Sequence, residues 1–220
     1  MRMALEAMDA FFEARLEGYE DHMLQAIDGA GEFYPFTAAQ LPTTPGAKLL
    51  DLGCGTGLEL DWYFPRNPTA QVTGIDLSAK MLAVLQDKHA AYHLDLICGN
   101  YFDVPFGEGV FDCAVSVESL HHFTQAEKLP LYQKLCRSLK PGGYFLLTDY
   151  FALSKAEEQQ HRHTFLALLQ AQQLPFHAIY HYDTPLTVAH EQEVLLSAGF
   201  STVEVLGSWG ATHTLKAVRQ

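Results

Sequence analysis

The stretch Leu49-Leu50-Asp51-Leu52-Gly53-Cys54-Gly55-Thr56-Gly57 decides the fold. Its apolar start reads as a buried strand, and glycines at alternate positions then break it into a tight turn. Glycine has no Cβ, so such a turn lets backbone approach a ligand closely. A helix opening after it would offer unpaired N–H groups to a polar or anionic ligand. About twenty residues on, Gly74-Ile75-Asp76-Leu77 ends a second apolar run on one carboxylate, the place where ribose hydroxyls are bound in nucleotide folds. Together the two stretches imply a nucleoside-bearing cofactor at the C-terminal edge of a parallel sheet.

Working outward, strand and helix patterns alternate. Strands are expected over Lys48–Leu52, Ala70–Asp76, Leu94–Cys98, Phe111–Val117 and Tyr144–Asp149. Helices are expected over Gly57–Phe64, from a Ser78 N-cap to about His89, and over about Gln125–Leu139, the last closed by a turn at Lys140-Pro141-Gly142-Gly143. Before this body, Leu5–Ile27 has helical apolar spacing, and Pro42–Gly46 reads as a linker. After it come a helical insert at about Lys155–Gln173 and a helix at about Val188–Ala198. Two runs follow with no helix between them, Thr202–Leu206 and His213–Val218, which predicts an antiparallel hairpin. The class is α/β, a doubly wound parallel sheet finished by one antiparallel strand. The length of 220 residues suits one domain: an N-terminal helical lid over 1–45, a cofactor-binding core over 46–152, a substrate-side insert over 153–187, and a C-terminal helix and hairpin over 188–220.

Composition narrows the function classes. A net charge of -12 with only 14 Lys and Arg, unclustered, disfavours a nucleic-acid partner. The chain shows no apolar run long enough to cross a membrane and no signal-peptide core at its start, so a cytoplasmic protein is expected. The four cysteines form no C-x-x-C pair and read as small buried thiols. His161 and His163 lie two apart and do not share a helix face. They and His177 and His181 read as solvated or hydrogen-bonded, and no metal is expected.

A dinucleotide fingerprint needs G-x-G-x-x-G. Here the third position falls on Leu58, and the pattern is Asp51-x-Gly53-x-Gly55-x-Gly57. With Gly74-Ile75-Asp76-Leu77-Ser78, Gly99-Asn100-Tyr101, Phe111-Asp112, Ser119-Leu120-His121-His122-Phe123 and Leu139-Lys140-Pro141-Gly142-Gly143 in order, the chain resembles the class I S-adenosylmethionine-dependent methyltransferases. The resemblance implies a Rossmann-like seven-stranded sheet of order 3-2-1-4-5-7-6, with the cofactor across the strand ends and S-adenosylhomocysteine as its product. It places the Gly53-Cys54-Gly55 turn at the methionyl part and Asp76 on the ribose. Leu77 and Met81 pack on adenine, Asn100 with its neighbour Tyr101 contacts the adenine edge, and Ser116 lies near the methionyl end. The family often has Asp at the Asn100 position. For Asp51 two roles stay open, cofactor contact and holding the turn through backbone amides. For Tyr19 they are a bond to the cofactor carboxylate and aromatic packing.

Methyl transfer from a sulfonium is an in-line displacement in which protein groups chiefly align the partners. His121 is the candidate acid–base residue, since histidine titrates in the useful range, with a packed structural role as its rival; Glu118 and Asp149 are candidates for orienting a substrate. The sequence lacks an Asn/Asp-Pro-Pro-Tyr/Phe motif and a Pro-Cys dipeptide of the cytosine-C5 type. A small-molecule acceptor is therefore favoured over tRNA or protein methylation and over a non-catalytic cofactor-binding module. Both monomer and homodimer are compatible with the chain.

Overall fold

The computed structural model describes residues 4–220. Seven strands form one sheet: β1 (Lys48–Leu52), β2 (Gln71–Asp76), β3 (His93–Cys98), β4 (Phe111–Val117), β5 (Leu139–Tyr150), β6 (Thr202–Trp209) and β7 (Thr212–Val218). Their order is β3-β2-β1-β4-β5-β7-β6. All neighbours are parallel except β7, which runs antiparallel to both β5 and β6. The chain leaves β1 toward β2 and β3 and returns on its other side as β4. The crevice beyond the ends of β1 and β4 is thus the topological switch point, where open α/β sheets take their ligands.

Side chains alternate across a strand, and β1 shows the consequence. Leu50 and Leu52 join the core under α6 (Gln125–Ser138) and α8 (Val188–Ser197), with Leu135, Val194 and Leu195. Leu49 joins the opposite core with Leu60 of α4 (Leu58–Tyr63), Leu85 of α5 (Ala79–Lys88) and Phe33 of α3 (Ala30–Gln40). Asp51 shares the parity of Leu49 and is carried to the α4 side.

Ser78 caps α5 as its sequence predicts, its hydroxyl accepting from Met81 N at 3.2 Å. Four local expectations change. The helix expected over Leu5–Ile27 is two, α1 (Met8–Ala14) and α2 (Tyr19–Ala26), parted at Gly18, whose φ of 79° no other residue type adopts cheaply. Helix α3 has no counterpart in the sequence pattern. Phe33, Tyr34, Thr37 and Ala38 bury one face, but the opposite face carries Gly31, Pro35 and Ala39 beside Glu32, so the polar stripe of a surface helix is missing from the sequence. A buried hydroxyl chain ties it down: Thr37 to Thr148 at 2.5 Å, and Thr148 to Thr214 at 2.8 Å. The Lys140–Gly143 turn lies inside β5 as a bulge, where pairing shifts from Phe111–Leu139 to Cys113–Tyr144. Helix α4 has six residues, Leu58–Tyr63, shorter at both ends than the Gly57–Phe64 expected. The insert contributes one helix, α7 (Lys155–Gln172), and an irregular return to α8. Among the described residues no helix is long and apolar enough to cross a membrane.

Candidate active site

The glycine turn leaves β1 and is bound to the end of β2. Gly53 N donates to Ile75 O at 2.8 Å, and Gly55 N donates to Asp76 Oδ2 at 2.9 Å. Asp76 Oδ1 accepts from Ser78 N at 2.8 Å. Burial pushes the Asp76 carboxyl up, against these amide bonds. Gly53 has φ 70°, and a Cβ there would stand 2.0 Å from Ser119 Oγ, so only glycine admits the segment after β4. A Cβ at Gly55 would meet only the Tyr19 hydroxyl, at 3.7 Å. The turn's backbone therefore faces a cleft floored by Asp76, Leu77 and Met81 and walled by Tyr101. Met8, Phe12 and Tyr19 of the N-terminal helices cover it and leave a cavity of about 60 Å³, room for a few waters only.

The residues present fit S-adenosylmethionine. The cradle is backbone that a Cβ would obstruct, Asp76 is a half-buried carboxylate at its edge, and Thr56 Oγ1, inside the turn, is buried without a hydrogen-bond partner. Of the residues expected at the cofactor, Tyr19, Gly53, Gly55, Asp76, Leu77, Met81 and Tyr101 line the cleft. The other four are held elsewhere. The Asn100 side chain closes its own turn, donating to Asp103 Oδ2 and accepting from Phe102 N, both at 2.9 Å. Ser116 donates to Leu52 O at 2.9 Å and is buried. Cys54 is buried against Gly74. Asp51 faces Glu59 of α4 in a carboxyl pair. Glu59 gave no signal in the sequence, where it reads as a polar residue in the first turn of a helix.

A second cavity, of about 750 Å³, adjoins the first and shares Phe12, Tyr19, Glu118 and His122 with it. Its far wall carries His121, Tyr150, His181 and Asp183. Glu118, just after β4, holds φ 49° without being glycine, strain of the kind that gathers at functional sites. Its Oε1 accepts from Thr212 at 3.2 Å. Burial, then the Asp149 charge, raise its carboxyl to about 7. His121 Nδ1 lies 2.5 Å from Asp149 Oδ1. Asp149 is itself fixed by the Leu120 and Tyr150 amides, at 2.8 and 2.9 Å. Burial presses the His121 imidazolium down, but Asp149, Asp183 and Glu118 together outweigh it and hold its pKa at about 9. His122 and His181 go the other way: burial, then a neighbouring histidine, lowers both, His181 to about 4. His181 is half-buried, and its ring stacks on Phe11 with centroids 3.5 Å apart. Asp183 comes from the irregular return after α7, a segment with no periodicity to mark it.

Comparison with known proteins adds the lineage. Residues 50–147 match a family described as a methyltransferase domain. An uncharacterized methyltransferase of Synechocystis is 36% identical over 125 residues, 56% of each chain. A 24-methylenesterol C-methyltransferase of Arabidopsis thaliana is 32% identical over 123 residues, 54% of this chain and 33% of its own. The chain thus spans a third to little over half of these curated relatives. Among solved structures, the S-adenosylmethionine-dependent methyltransferase SibL superposes on the whole chain and 63% of its own with a TM-score of 0.67 at 20% identity, a likeness of fold.

Proposed function

The chain belongs to the class I S-adenosylmethionine-dependent methyltransferases, and from that premise we propose that it methylates a small molecule held in the second cavity. The observation carrying this is the junction of the two cavities at Phe12, Tyr19, Glu118 and His122. A narrow donor cleft opens there onto a roomier, aromatic-walled space of about 750 Å³, within the usual range for small-molecule sites. The acidic balance of the chain, -12, argues against a polyanionic acceptor.

S-adenosylmethionine, when bound, supplies a methyl carbon on a sulfonium; as the acceptor's lone pair bonds that carbon, the C–S bond breaks and its electrons stay on sulfur as neutral S-adenosylhomocysteine. With the cofactor bound, Asp76 would hold the ribose through charge-assisted hydrogen bonds, Leu77 and Met81 would flank the adenine, and the Gly53–Gly55 backbone would border the methionyl part. Tyr19, its phenol kept protonated by burial, then by the Asp76 charge, closes over both cavities and excludes water. His121, oriented by Asp149, stands on the wall of the second cavity, against which the acceptor's polar atom would lie.

The test has two steps. Calorimetry should show S-adenosylhomocysteine binding and no NAD binding. Incubation with methyl-labelled cofactor and a fractionated metabolite extract should then yield a labelled small product, unaffected by RNase or protease. Binding of NAD alone would overturn the cofactor assignment. Label confined to RNA or protein, or no transfer from any fraction, would overturn the small-molecule acceptor.

A further inference from the structure

We propose that His121, His122 and Asp183 form a binding site for one divalent transition-metal ion on the wall of the second cavity. Asp183 Oδ1 lies 3.2 Å from His122 Nδ1 and 3.6 Å from His121 Nε2. One ligand atom from each of the three lies within 4.8 Å of the others. Donors about 2.0–2.2 Å from a tetrahedral zinc ion stand about 3.3–3.6 Å from one another, so the Asp183 oxygen already sits at ligand spacing from both rings.

The surroundings have the features of a metal site. His121 turns Nδ1 to Asp149 at 2.5 Å and leaves Nε2 for the ion, the arrangement in which a carboxylate orients a metal-bound histidine. Asp149 cannot drift, because the Leu120 and Tyr150 amides hold both its oxygens. Asp183 is registered by its neighbour: Thr184 N donates to His121 O at 2.8 Å, and Asp183 O lies 3.2 Å from His161 Nδ1. Three carboxylates, Glu118, Asp149 and Asp183, surround His121, a negative field suited to a dication. The His122 side chain is 3% exposed and that of Asp183 45%, so the site is closed behind the histidines and open in front.

Two imidazoles and one carboxylate select zinc, cobalt or iron over magnesium and calcium, which take all-oxygen shells. Three protein ligands also leave at least one position for an outside ligand. The ligands line the cavity. If that cavity holds the acceptor, as proposed above, the ion selects acceptors with an ionisable oxygen, such as a phenol, an enol or a carboxylate, whose pKa it lowers.

The full chain, dialysed against a chelator, is titrated with Co²⁺ without cofactor, by calorimetry and by the visible absorption of the bound ion, and then with Zn²⁺. One equivalent of Co²⁺ should bind and be displaced by Zn²⁺. Asp183→Ala and His122→Gln should each weaken binding at least tenfold, and Asp149→Asn, which acts through His121, about 10–100-fold. Cys98→Ser, which removes the one exposed thiol among the described cysteines, should change nothing. Melting temperature and S-adenosylhomocysteine affinity on the same samples separate loss of the ion from loss of the fold. Absence of stoichiometric Co²⁺ binding, or binding that survives both Asp183→Ala and His122→Gln, overturns the site. The Co²⁺ result is read without cofactor, so failure of the methyltransferase reading leaves it independently decided.

Discussion

Asp76 Oδ2 accepts the Gly55 N–H at 2.9 Å, so the carboxylate that ends β2 is bonded to the turn that follows β1. The group proposed to bind the ribose and the turn proposed to cradle the methionyl part are thus one unit, set by the register of two neighbouring strands. Asp76→Ala should weaken S-adenosylhomocysteine binding by about 1.5–3 kcal/mol, the worth of hydrogen bonds to a charged group. Calorimetry on the folded variant reads this directly. An affinity equal to wild type would remove Asp76 from the ribose.

Gly53 tests close approach against backbone strain. Gly53 and Gly46 have nearly the same φ, 70° and 72°, but a Cβ at Gly46 meets nothing within 4 Å. Each Gly→Ala change should cost about 1–2 kcal/mol of stability from left-handed strain. Only Gly53→Ala also pushes on Ser119, whose Cβ would lie 2.6 Å from the new methyl. That variant alone should lose S-adenosylhomocysteine affinity, by tenfold or more. Equal affinities in the two variants would show that the Gly53–Ser119 contact does not shape the cleft.

The donor half of this site was legible because its chemistry is local. A turn of Gly53, Gly55 and Gly57 and a carboxylate ending the next strand are short-range patterns, and parallel pairing of β1 with β2 brings them together. The acceptor half is assembled from distant pieces. His121 and Asp149 lie 28 positions apart, and Asp183 arrives from an irregular segment fixed by the Thr184–His121 bond. No spacing rule places Asp183, and none announces the stacking of His181 on Phe11. Asn100 carries two signals: its family position suggests adenine, and its side chain closes a turn with Phe102 and Asp103. Helix α3 escaped for a different reason: its outward face carries Gly31, Pro35 and Ala39, and a proline reads as a helix breaker, so no polar stripe marks it.

Helices α6 and α8 are joined by a buried ion pair. Lys128 Nζ lies 2.6 Å from Glu191 Oε2 with side chains 1% and 0% exposed, and the Tyr132 hydroxyl donates to the other Glu191 oxygen. Removing one partner strands the other charge away from water. Glu191→Ala should therefore destabilise the fold by about 3–5 kcal/mol, and Lys128→Met with Glu191→Leu should recover most of that loss. Urea denaturation of the single and double variants measures both. A double variant no more stable than Glu191→Ala would mean that the pair itself, and not the stranded charge, supplies the stability.

Asp51 and Glu59 face each other at the root of the glycine turn, and both carboxyls are raised: Asp51 well above the usual range by burial, then by the Glu59 charge, and Glu59 chiefly by burial. With both ionised, Asp51 Oδ2 and Glu59 Oε1 are buried without a donor; a proton retained between them would supply one. A carboxyl whose folded pKa exceeds its unfolded value binds its proton more tightly in the native state. Its contribution to stability is complete below the unfolded carboxyl pKa and is lost as pH rises through the folded one. Asp51→Asn removes one charge and supplies a permanent donor. The stability advantage of Asp51→Asn over wild type should therefore widen as pH rises through that window and vanish toward acid. Urea midpoints across pH test it, since the rest of the chain's titration cancels in the difference. Two parallel curves would mean that no proton is held between Asp51 and Glu59.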